Sequence, residues 1–369
     1  MKRSISLYIH VPFCNSVCPY CDFYKRVPRE NDIEDYVDAI VSLLKREEYD
    51  QFYFDTLYFG GGTPSVLSAS QLEKVFSALS GKIKGGAEIT LECNPKDADK
   101  AYYKDIFSLG INRLSLGAQS LDDELLKFLG RRHTEKDIHR SVEDAFSSGF
   151  KNITLDMMIG VPHMNLSHID KWGEFISRYD IPHISSYILK IEEGTAFHKR
   201  KVSDILPSDD EVANQYLYTA KVLSSVGLQN YEISNYSKEG YEGKHNLKYW
   251  SCSEYLGLGP GAHSFLDGKR FYCENNLYEF IQKVNENKRV FTGFSDGGTL
   301  EEYAMLRLRL REGLIKKDAV ARFGDSALRI FERAKAFPEN NLFILDQEKI
   351  SLTERGFLLS NQIIERLVF

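Results

Sequence analysis

The chain has 369 residues, 43% of them hydrophobic, which is enough for one large domain with an appendage or for two domains. Its formal net charge of −6 argues against nucleic acid as the main partner, because phosphate-binding surfaces are usually basic. Six cysteines are too few for a disulfide scaffold, and the clustering of three of them predicts metal binding in a reducing cytoplasm. The sequence shows no signal peptide and no run of about 18 apolar residues, so we expect membrane contact to be peripheral at most.

Strand-like and helix-like segments alternate over the first half of the chain. The predicted strands are Ser4–Val11, Thr56–Phe59, Glu88–Glu92, Arg113–Gly117, Asn152–Ile159 and His183–Ile191. One-face apolar spacing predicts a helix over Ile33–Tyr49, and Ser70 with Glu73, like Thr134 with Asp137, predicts a capping box at a helix start. This alternation indicates a parallel sheet, and six units are too few for an eightfold barrel. We therefore predict an α/β fold with a partial parallel (β/α)6 barrel.

A loop with three cysteines follows the first predicted strand. Cys14, Cys18 and Cys21 have the spacing C-x3-C-x2-C, and thiolates at such close spacing hold iron–sulfur clusters. A zinc site is the alternative, but zinc normally takes four protein ligands and no fourth Cys or His lies at zinc-like spacing. The loop predicts a cubic cluster with one iron open to a small molecule. The other cysteines are scattered and are expected to be apolar core residues: Cys93, Cys252 and Cys273.

Glycines and polar residues follow the ends of other predicted strands. The run Gly60–Pro64 follows the second strand, Glu92 ends the third, Gln119 follows the fourth, and Asp156 lies on the fifth. Reactive groups of β/α barrels gather where the strands end, and glycines let a backbone approach a ligand closely. We expect these residues to meet the cysteine loop at one end of the barrel, except that the pattern does not fix the depth of Asp156.

The pattern changes after about residue 195. A helix is predicted over Asp209–Val226, followed by a strand-like piece at Tyr231–Tyr236 and a stretch rich in glycine and aromatic residues. The turn-rich segment Ser295–Thr299 predicts a boundary. Beyond it we expect three helices and a small hairpin around Leu342–Leu352. The predicted units are residues 1–195, 196–295 and 296–369.

Several motifs stand in an order that resembles one protein family. The runs Tyr8–Phe23, Gly60–Pro64 and Glu92–Pro95 resemble the radical S-adenosylmethionine superfamily. Gly110–Ser120, with segments 129–133 and 156–162, resembles within it the branch that holds oxygen-independent coproporphyrinogen III oxidase and related heme chaperones. The resemblance covers nearly the whole chain. It implies a radical SAM partial barrel, an α+β extension and a small winged-helix-like C-terminal domain.

The resemblance also implies cofactors and the residues that bind them. Cys14, Cys18 and Cys21 would bind a [4Fe-4S] cluster, and S-adenosylmethionine would chelate the open iron through its amino and carboxylate groups. An electron donor would reduce the cluster, and the cofactor would then be split into methionine and a 5′-deoxyadenosyl radical. Eight positions match family residues that contact this cofactor: Tyr8, Gly61, Gly62, Thr63, Glu92, Gln119, Arg131 and Asp156.

Two departures separate the chain from the oxidase. The oxidase has a fourth cysteine where this chain has Phe23, and an N-terminal arm where only thirteen residues precede Cys14 here. The segment His245-Asn246-Leu-Lys-Tyr249-Trp250 instead matches a motif of the heme chaperones and implies heme binding. A neutral imidazole suits heme iron, so His245 is the expected axial ligand and His263 a second candidate. The alternative is that His245 and Asn246 cap a turn against the barrel and that Tyr249 and Trp250 fill the core.

We therefore expect a cytoplasmic heme chaperone of the radical SAM type that delivers heme to apoproteins, among them respiratory ones. The first alternative is an enzyme of porphyrin biosynthesis, an anaerobic coproporphyrinogen III oxidase that makes protoporphyrinogen IX. The second alternative is a radical SAM enzyme that acts on another substrate. The expected partners are heme, heme-accepting apoproteins and an electron donor, without nucleic acid, and no catalytic residue is assigned.

Overall fold

The computed structural model describes residues 2–338 and 341–369. Parallel strands, separated by helices, form the centre of a large sheet in the order β1-β2-β3-β4-β5-β6. These strands are β1 Arg3–Val11, β2 Phe52–Gly61, β3 Ile83–Cys93, β4 Arg113–Gln119, β5 Asn152–Ile159 and β6 His183–Ile188. The helices between them are α1 Asp32–Leu44, α2 Ala69–Ala78, α3 Lys100–Ser108, α4 Asp123–Phe128, α5 Glu135–Ser147 and α6 Leu166–Tyr179. The predicted partial parallel β/α barrel is confirmed.

The following residues extend the same sheet at both edges. Strand β9 pairs in parallel with β1, and β8 pairs antiparallel with β6. The elements are α7 Ala196–Lys199, α8 Asp209–Ser225, β7 Gln229–Asn230, β8 Asn235–Ser237, α9 Lys244–Trp250, β9 Tyr255–Leu258, β10 His263–Leu266, β11 Lys269–Cys273, α10 Leu277–Asn285 and β12 Phe291–Asp296. Residues 196–295 therefore share one sheet with the barrel, and their separation as a unit stays a prediction.

The C-terminal residues form helices around a second, three-stranded sheet. Its elements are α11 Leu300–Arg307, β13 Leu314–Ile315, α12 Lys316–Phe323, α13 Leu328–Lys335, β14 Phe343–Leu345, β15 Lys349–Leu352, α14 Glu354–Leu358 and α15 Ser360–Val368. Strands β14 and β15 pair antiparallel and form the predicted hairpin. Short 3-10 helices lie at Glu47–Tyr49, Pro64–Val66, Val202–Ile205 and Gly324–Ala327. In the described parts of the chain, no helix has the length and apolar character that crossing a membrane requires.

One helix start differs from its prediction. Helix α2 is capped by Ser68, whose hydroxyl accepts the Gln71 N–H while the Gln71 side chain accepts the Ser68 N–H. The prediction of Ser70 with Glu73 was wrong, because the same Ser-x-x-polar spacing occurs two residues earlier and Ser70 already lies inside the helix. The capping box predicted at Thr134 is confirmed at the start of α5.

Side chains of the central strands alternate between an apolar outer face and a polar inner face. Outward residues such as Leu7, Leu57 and Leu91 are fully buried in the core beneath the helices. Inward residues form layers across the strands, as expected for a barrel interior. One layer pairs Ser6 with Thr56 and Thr56 with Glu88, and the next pairs Tyr8 with Tyr58 and Tyr58 with Thr90. The barrel interior is therefore polar and able to hold a polar ligand.

Candidate functional site

A cavity of about 340 Å³ lies where the parallel strands end. Its wall contains the three cysteines of the loop after β1, namely Cys14, Cys18 and Cys21. Seven of the eight positions predicted for S-adenosylmethionine also line it: Gly61, Gly62, Thr63, Glu92, Gln119, Arg131 and Asp156. The cysteine loop, the glycine run, Glu92 and Gln119 therefore meet at one end of the barrel, and Asp156, whose depth the sequence pattern did not fix, lies there too.

Tyr8 lies outside the lining of this cavity. Its hydroxyl is 3.0 Å from Nδ1 of His10, and its ring packs 6.1 Å from the ring of Tyr58. Tyr8 lies one layer of side chains deeper in the barrel than its neighbour His10 on the same face of β1. Tyr8 therefore lies beneath the residues that line the cavity.

Two of the three thiols accept hydrogen bonds from different neighbours. Thr63 donates its hydroxyl to Cys14 Sγ at 3.4 Å, and Arg131 Nη1 donates to Cys18 Sγ at 3.3 Å. Burial raises the pKa of the Cys14 thiol to about 11, so iron must displace a proton there. Within residues 2–338 and 341–369, no three His, Cys, Asp or Glu side chains converge on a single ion position. Because a cubic cluster gives each thiolate its own iron, the three cysteines of one cavity wall suit such a cluster.

Two buried carboxyl groups face the cavity. Glu92 accepts the Tyr58 hydroxyl at 2.8 Å and the Gly61 N–H at 3.1 Å. Burial, with the nearby Asp156, raises the pKa of Glu92 to about 7, and burial raises the pKa of Asp156 to about 6. A cationic ligand would favour the ionised form of both groups. S-adenosylmethionine carries a positive ammonium and a positive sulfonium group, so this cavity fits it.

Arg131 links the cysteine loop to the strand ends. Its Nη2 donates to the Gly117 carbonyl at 2.7 Å and to Asn94 Oδ1 at 3.1 Å. Its Nε is buried, with no hydrogen-bond partner in the described part of the protein. The guanidinium therefore retains a donor for a ligand and places a positive charge beside the Cys18 thiol.

The cavity includes residues that the sequence prediction missed. They are Ser16, Tyr20, Phe23, Lys25, Cys93, Asn94, Ser115, Gly117, Met158 and Tyr187. Ser115, Gly117 and Met158 lie on inward strand positions, and Met158 stands two residues after Asp156, so strict alternation would have found them. Phe23 is 64% exposed at the cavity, in the position of the fourth cysteine of the oxidase.

His245, the predicted heme ligand, lies in the barrel interior and is only 1% exposed. Its Nδ1 is 2.7 Å from Thr56 Oγ1, and its Nε2 is 2.7 Å from the Tyr249 hydroxyl. Burial lowers its pKa to about 3, so the imidazole is neutral. Asn246 and Trp250 are half-buried on the same helix. Both imidazole nitrogens already have partners, so iron ligation by His245 through either nitrogen would require one of these contacts to break.

His263 differs from His245 in its accessibility. It is the first residue of β10, which runs antiparallel to β9, and β9 runs parallel to β1. His263 therefore lies at the same edge of the sheet as the cysteine loop. Its side chain is exposed, with its ring 5.3 Å from that of Tyr272.

Comparisons with known proteins agree with this site. Residues 8–176 match the model of the Radical SAM superfamily, and residues 299–359 match that of the HemN C-terminal domain. The heme chaperone HemW of Lactococcus lactis is 33% identical over 377 residues, covering 100% of this chain and 98% of the relative. HemW of Bacillus subtilis is 33% identical, covering 97% of each chain, and HemW of Escherichia coli is 36% identical, covering 87% and 86%.

A solved structure shows the same fold. Coproporphyrinogen III oxidase (HemN) from Escherichia coli superposes with a TM-score of 0.85 at 20% identity, covering 100% of this chain and 90% of the oxidase. A three-cysteine loop over a cavity at the strand ends of a partial β/α barrel defines a radical SAM protein. Since the similarity to HemW proteins extends over nearly the full length of both chains, the protein belongs to the HemW family.

Proposed function

We propose that the protein is a heme chaperone that binds heme, a [4Fe-4S] cluster and S-adenosylmethionine and transfers heme to apoproteins. The observation that carries this proposal is the similarity to HemW of Lactococcus lactis along 100% of the chain. Phe23 supports it, because the chain has no cysteine at the position of the fourth cysteine of the oxidase.

The cavity residues divide into two groups by role. Cys14, Cys18 and Cys21 hold the cluster, and the remaining lining residues hold S-adenosylmethionine. Once bound, that cofactor supplies a ligand for the open iron and, when the cluster is reduced, radical chemistry. Glu92 and Asp156 accept hydrogen bonds from its cationic and hydroxyl groups. The glycines after β2 bring backbone close to it, while Arg131 and Gln119 bind its polar groups.

Heme contacts are proposed on two elements. The motif on α9 offers His245, Asn246, Tyr249 and Trp250, with the condition that His245 first gives up one of its two buried hydrogen bonds. His263 needs to break no buried hydrogen bond before it binds iron, because its side chain is exposed. Loss of hydration where the ring faces the protein, with a smaller effect of the positive Arg270, lowers its pKa, which keeps the imidazole neutral and ready to bind iron at neutral pH. Accessibility therefore favours His263 as the first ligand to test.

The remaining features of the proposal concern partners and organisation. Heme-accepting apoproteins, among them respiratory ones, receive the heme, and an electron donor reduces the cluster in the cytoplasm. None of the six cysteines forms a disulfide bond, which agrees with a reducing compartment. Residues 1–195 form the radical SAM unit, 196–295 the extension with the α9 motif, and 296–369 the C-terminal unit.

Anaerobic heme titration tests the proposal. The cluster is first reconstituted. Heme is then added to the wild type, His263→Ala and His245→Ala, and the visible absorption of the heme is followed. We expect the wild type to bind heme and His263→Ala to bind it at least about tenfold more weakly, since an axial ligand is lost. A wild type that binds no heme would contradict the chaperone. In parallel, release of carbon dioxide from coproporphyrinogen III, with formation of protoporphyrinogen IX, would identify the oxidase instead.

A further inference from the structure

The side chain of Tyr58 connects the buried His245 to a residue of the cofactor cavity. Its ring lies 5.1 Å from the ring of Tyr58, centroid to centroid, at an interplanar angle of 34°. The hydroxyl of Tyr58 donates a hydrogen bond of 2.8 Å to Oε1 of Glu92. Glu92 lines the cavity. An unbroken series of contacts therefore runs from the α9 motif to a carboxylate of the cofactor site.

The ring of His245 is fixed on both sides. Thr56 and Tyr249 hold its two nitrogens, each at 2.7 Å. Thr56 also donates to Ser6 at 2.8 Å, which ties this contact to the first two strands of the barrel. An imidazole bound at both nitrogens cannot rotate about χ2 without losing a buried hydrogen bond, which costs about 1–3 kcal/mol. His245 thus presents a stationary face to Tyr58.

Helix α9, which carries His245, is anchored to β3, the strand that also carries Glu92. Glu88 accepts the backbone N–H groups of Lys244 at 3.1 Å and His245 at 2.9 Å. Glu88 and Glu92 are four residues apart on β3 and so face the same side of the sheet. The position of α9 is therefore defined relative to Glu92 by the backbone as well as by the rings.

The rings of Tyr58, His245 and Tyr8 form a triangle. The Tyr58 ring is 5.1 Å from that of His245 and 6.1 Å from that of Tyr8, and the latter two are 6.5 Å apart. The substitution His245→Ala would remove the imidazole and leave a void beside Tyr58, because protein interiors are close-packed. The Tyr58 ring could then shift into that void and its hydroxyl would leave Glu92. Glu92 would keep only the Gly61 N–H as a donor.

We infer that His245 is a positioning residue of the S-adenosylmethionine site, which acts by holding the Tyr58 hydroxyl on Glu92. This inference rests on the proposed binding of that cofactor in the cavity, and it gives the α9 motif a role that does not involve heme iron. Asn246 and Trp250 remain free to serve the proposed heme site.

Direct binding measurements on the reconstituted protein test this role. The affinity for S-adenosylmethionine is measured by equilibrium dialysis for the wild type, His245→Ala and Tyr58→Phe. The change that the cofactor causes in the electron paramagnetic resonance spectrum of the reduced cluster is recorded alongside. We expect both variants to bind about tenfold more weakly, as for the loss of a hydrogen bond to a charged group, and to show a diminished spectral change.

His139→Ala is a matched control. His139 also contacts a tyrosine, with its Nδ1 2.8 Å from the Tyr179 hydroxyl and the two rings 5.4 Å apart. These residues lie on α5 and α6, away from the cavity. We expect this variant to bind the cofactor as the wild type does. His245→Gln, which keeps a polar group towards Tyr249, is expected to recover part of the affinity.

The outcomes are distinct. Wild-type cofactor affinity in either His245→Ala or Tyr58→Phe would overturn the inference. Where His245→Ala fails to fold, an affinity of His245→Gln equal to that of the wild type would overturn it, and Tyr58→Phe, which removes a single oxygen atom, tests the contact with Glu92. A wild type that binds no S-adenosylmethionine would instead contradict the proposed cofactor site, and this inference with it.

Discussion

Glu88 and Glu92 project from the same side of β3, and each carboxylate accepts hydrogen bonds from a different part of the chain. Glu88 accepts two backbone N–H groups at the start of α9, and Glu92 accepts the Tyr58 hydroxyl and the Gly61 N–H. One strand thus supports both the start of α9 and the wall of the cofactor cavity. Substitution of Glu88 should therefore change the stability of the protein, whereas substitution of Glu92 should change its affinity for the cofactor.

The affinity for S-adenosylmethionine should fall as the pH is lowered from 8 to 6. Glu92, with a pKa of about 7, faces Asp156, Arg113 and the Tyr58 hydroxyl, and it must be ionised to receive a cation. Below pH 7 the group is protonated, so we expect up to about a tenfold loss of affinity per pH unit. Asp156, with a pKa of about 6, adds a further loss below pH 6.

Equilibrium dialysis at several pH values measures this dependence. Glu92→Gln removes the ionisable group, so its affinity should be low throughout and should change less between pH 8 and 6. A wild-type affinity that is constant over this range would show that neither carboxyl group takes up a proton when the site is empty.

Iron content should separate the loop cysteines from the isolated ones. Replacement of Cys14, Cys18 or Cys21 by Ala should abolish the reconstituted cluster, because each thiolate would hold one iron. Cys273→Ala is the control, since this thiol is fully buried on β11 and lies outside the cavity wall. Iron and acid-labile sulfide per chain are the measurements. Full iron in all three loop variants would contradict the assignment.

Glu88→Ala should destabilise the protein. The variant leaves the N–H groups of Lys244 and His245 without their acceptor, and His245 is buried, so we expect a loss of about 1–3 kcal/mol in the free energy of unfolding. Urea denaturation of the apoprotein gives this value. Glu34→Ala, which removes an exposed ion pair with Lys74, should leave the unfolding midpoint almost unchanged. Equal midpoints for the two variants would show that Glu88 does not anchor α9.

Two serines near the start of α2 should differ in their contribution to stability. Ser68→Ala removes the observed N-cap and should cost about 0.5–2 kcal/mol. Ser70→Ala should have a much smaller effect, because Ser70 lies within the first turn and alanine is a better helix former. Thermal or urea denaturation of both variants distinguishes them, and a larger loss for Ser70→Ala would contradict the cap.

Local patterns in the sequence predicted the strands of the barrel, and together with the family resemblance they predicted ten of the twenty residues that line the cavity. Strand positions follow from alternating apolar residues, although β2 begins at Phe52 rather than Thr56 and β3 at Ile83 rather than Glu88. The site follows from the rule that parallel strands end at one edge. Asp156 reaches the cavity because it continues the inward face of β5, which the sequence pattern alone did not fix.

The surroundings of α9 could not be predicted in this way. The partners of His245 are Thr56 on β2 and Glu88 on β3, both more than 150 residues earlier in the chain. No local pattern brings these residues together, so the motif could be recognised while its burial could not. Tyr8 shows the same limit, because matching a motif position did not reveal that the residue lies beneath the cavity.

Because His245, at the start of α9, is buried in the barrel interior, it closes the inner side of the cavity and so sets the direction in which molecules exchange. A cofactor in the cavity has His245, Tyr249 and their neighbours on its inner side and the cysteine loop on its outer side. Cofactor must therefore enter and leave past the cysteine loop, where Phe23 and His263 are also exposed. A protein that accepts heme at this edge would cover that passage. Heme delivery and cofactor exchange would therefore exclude each other in time.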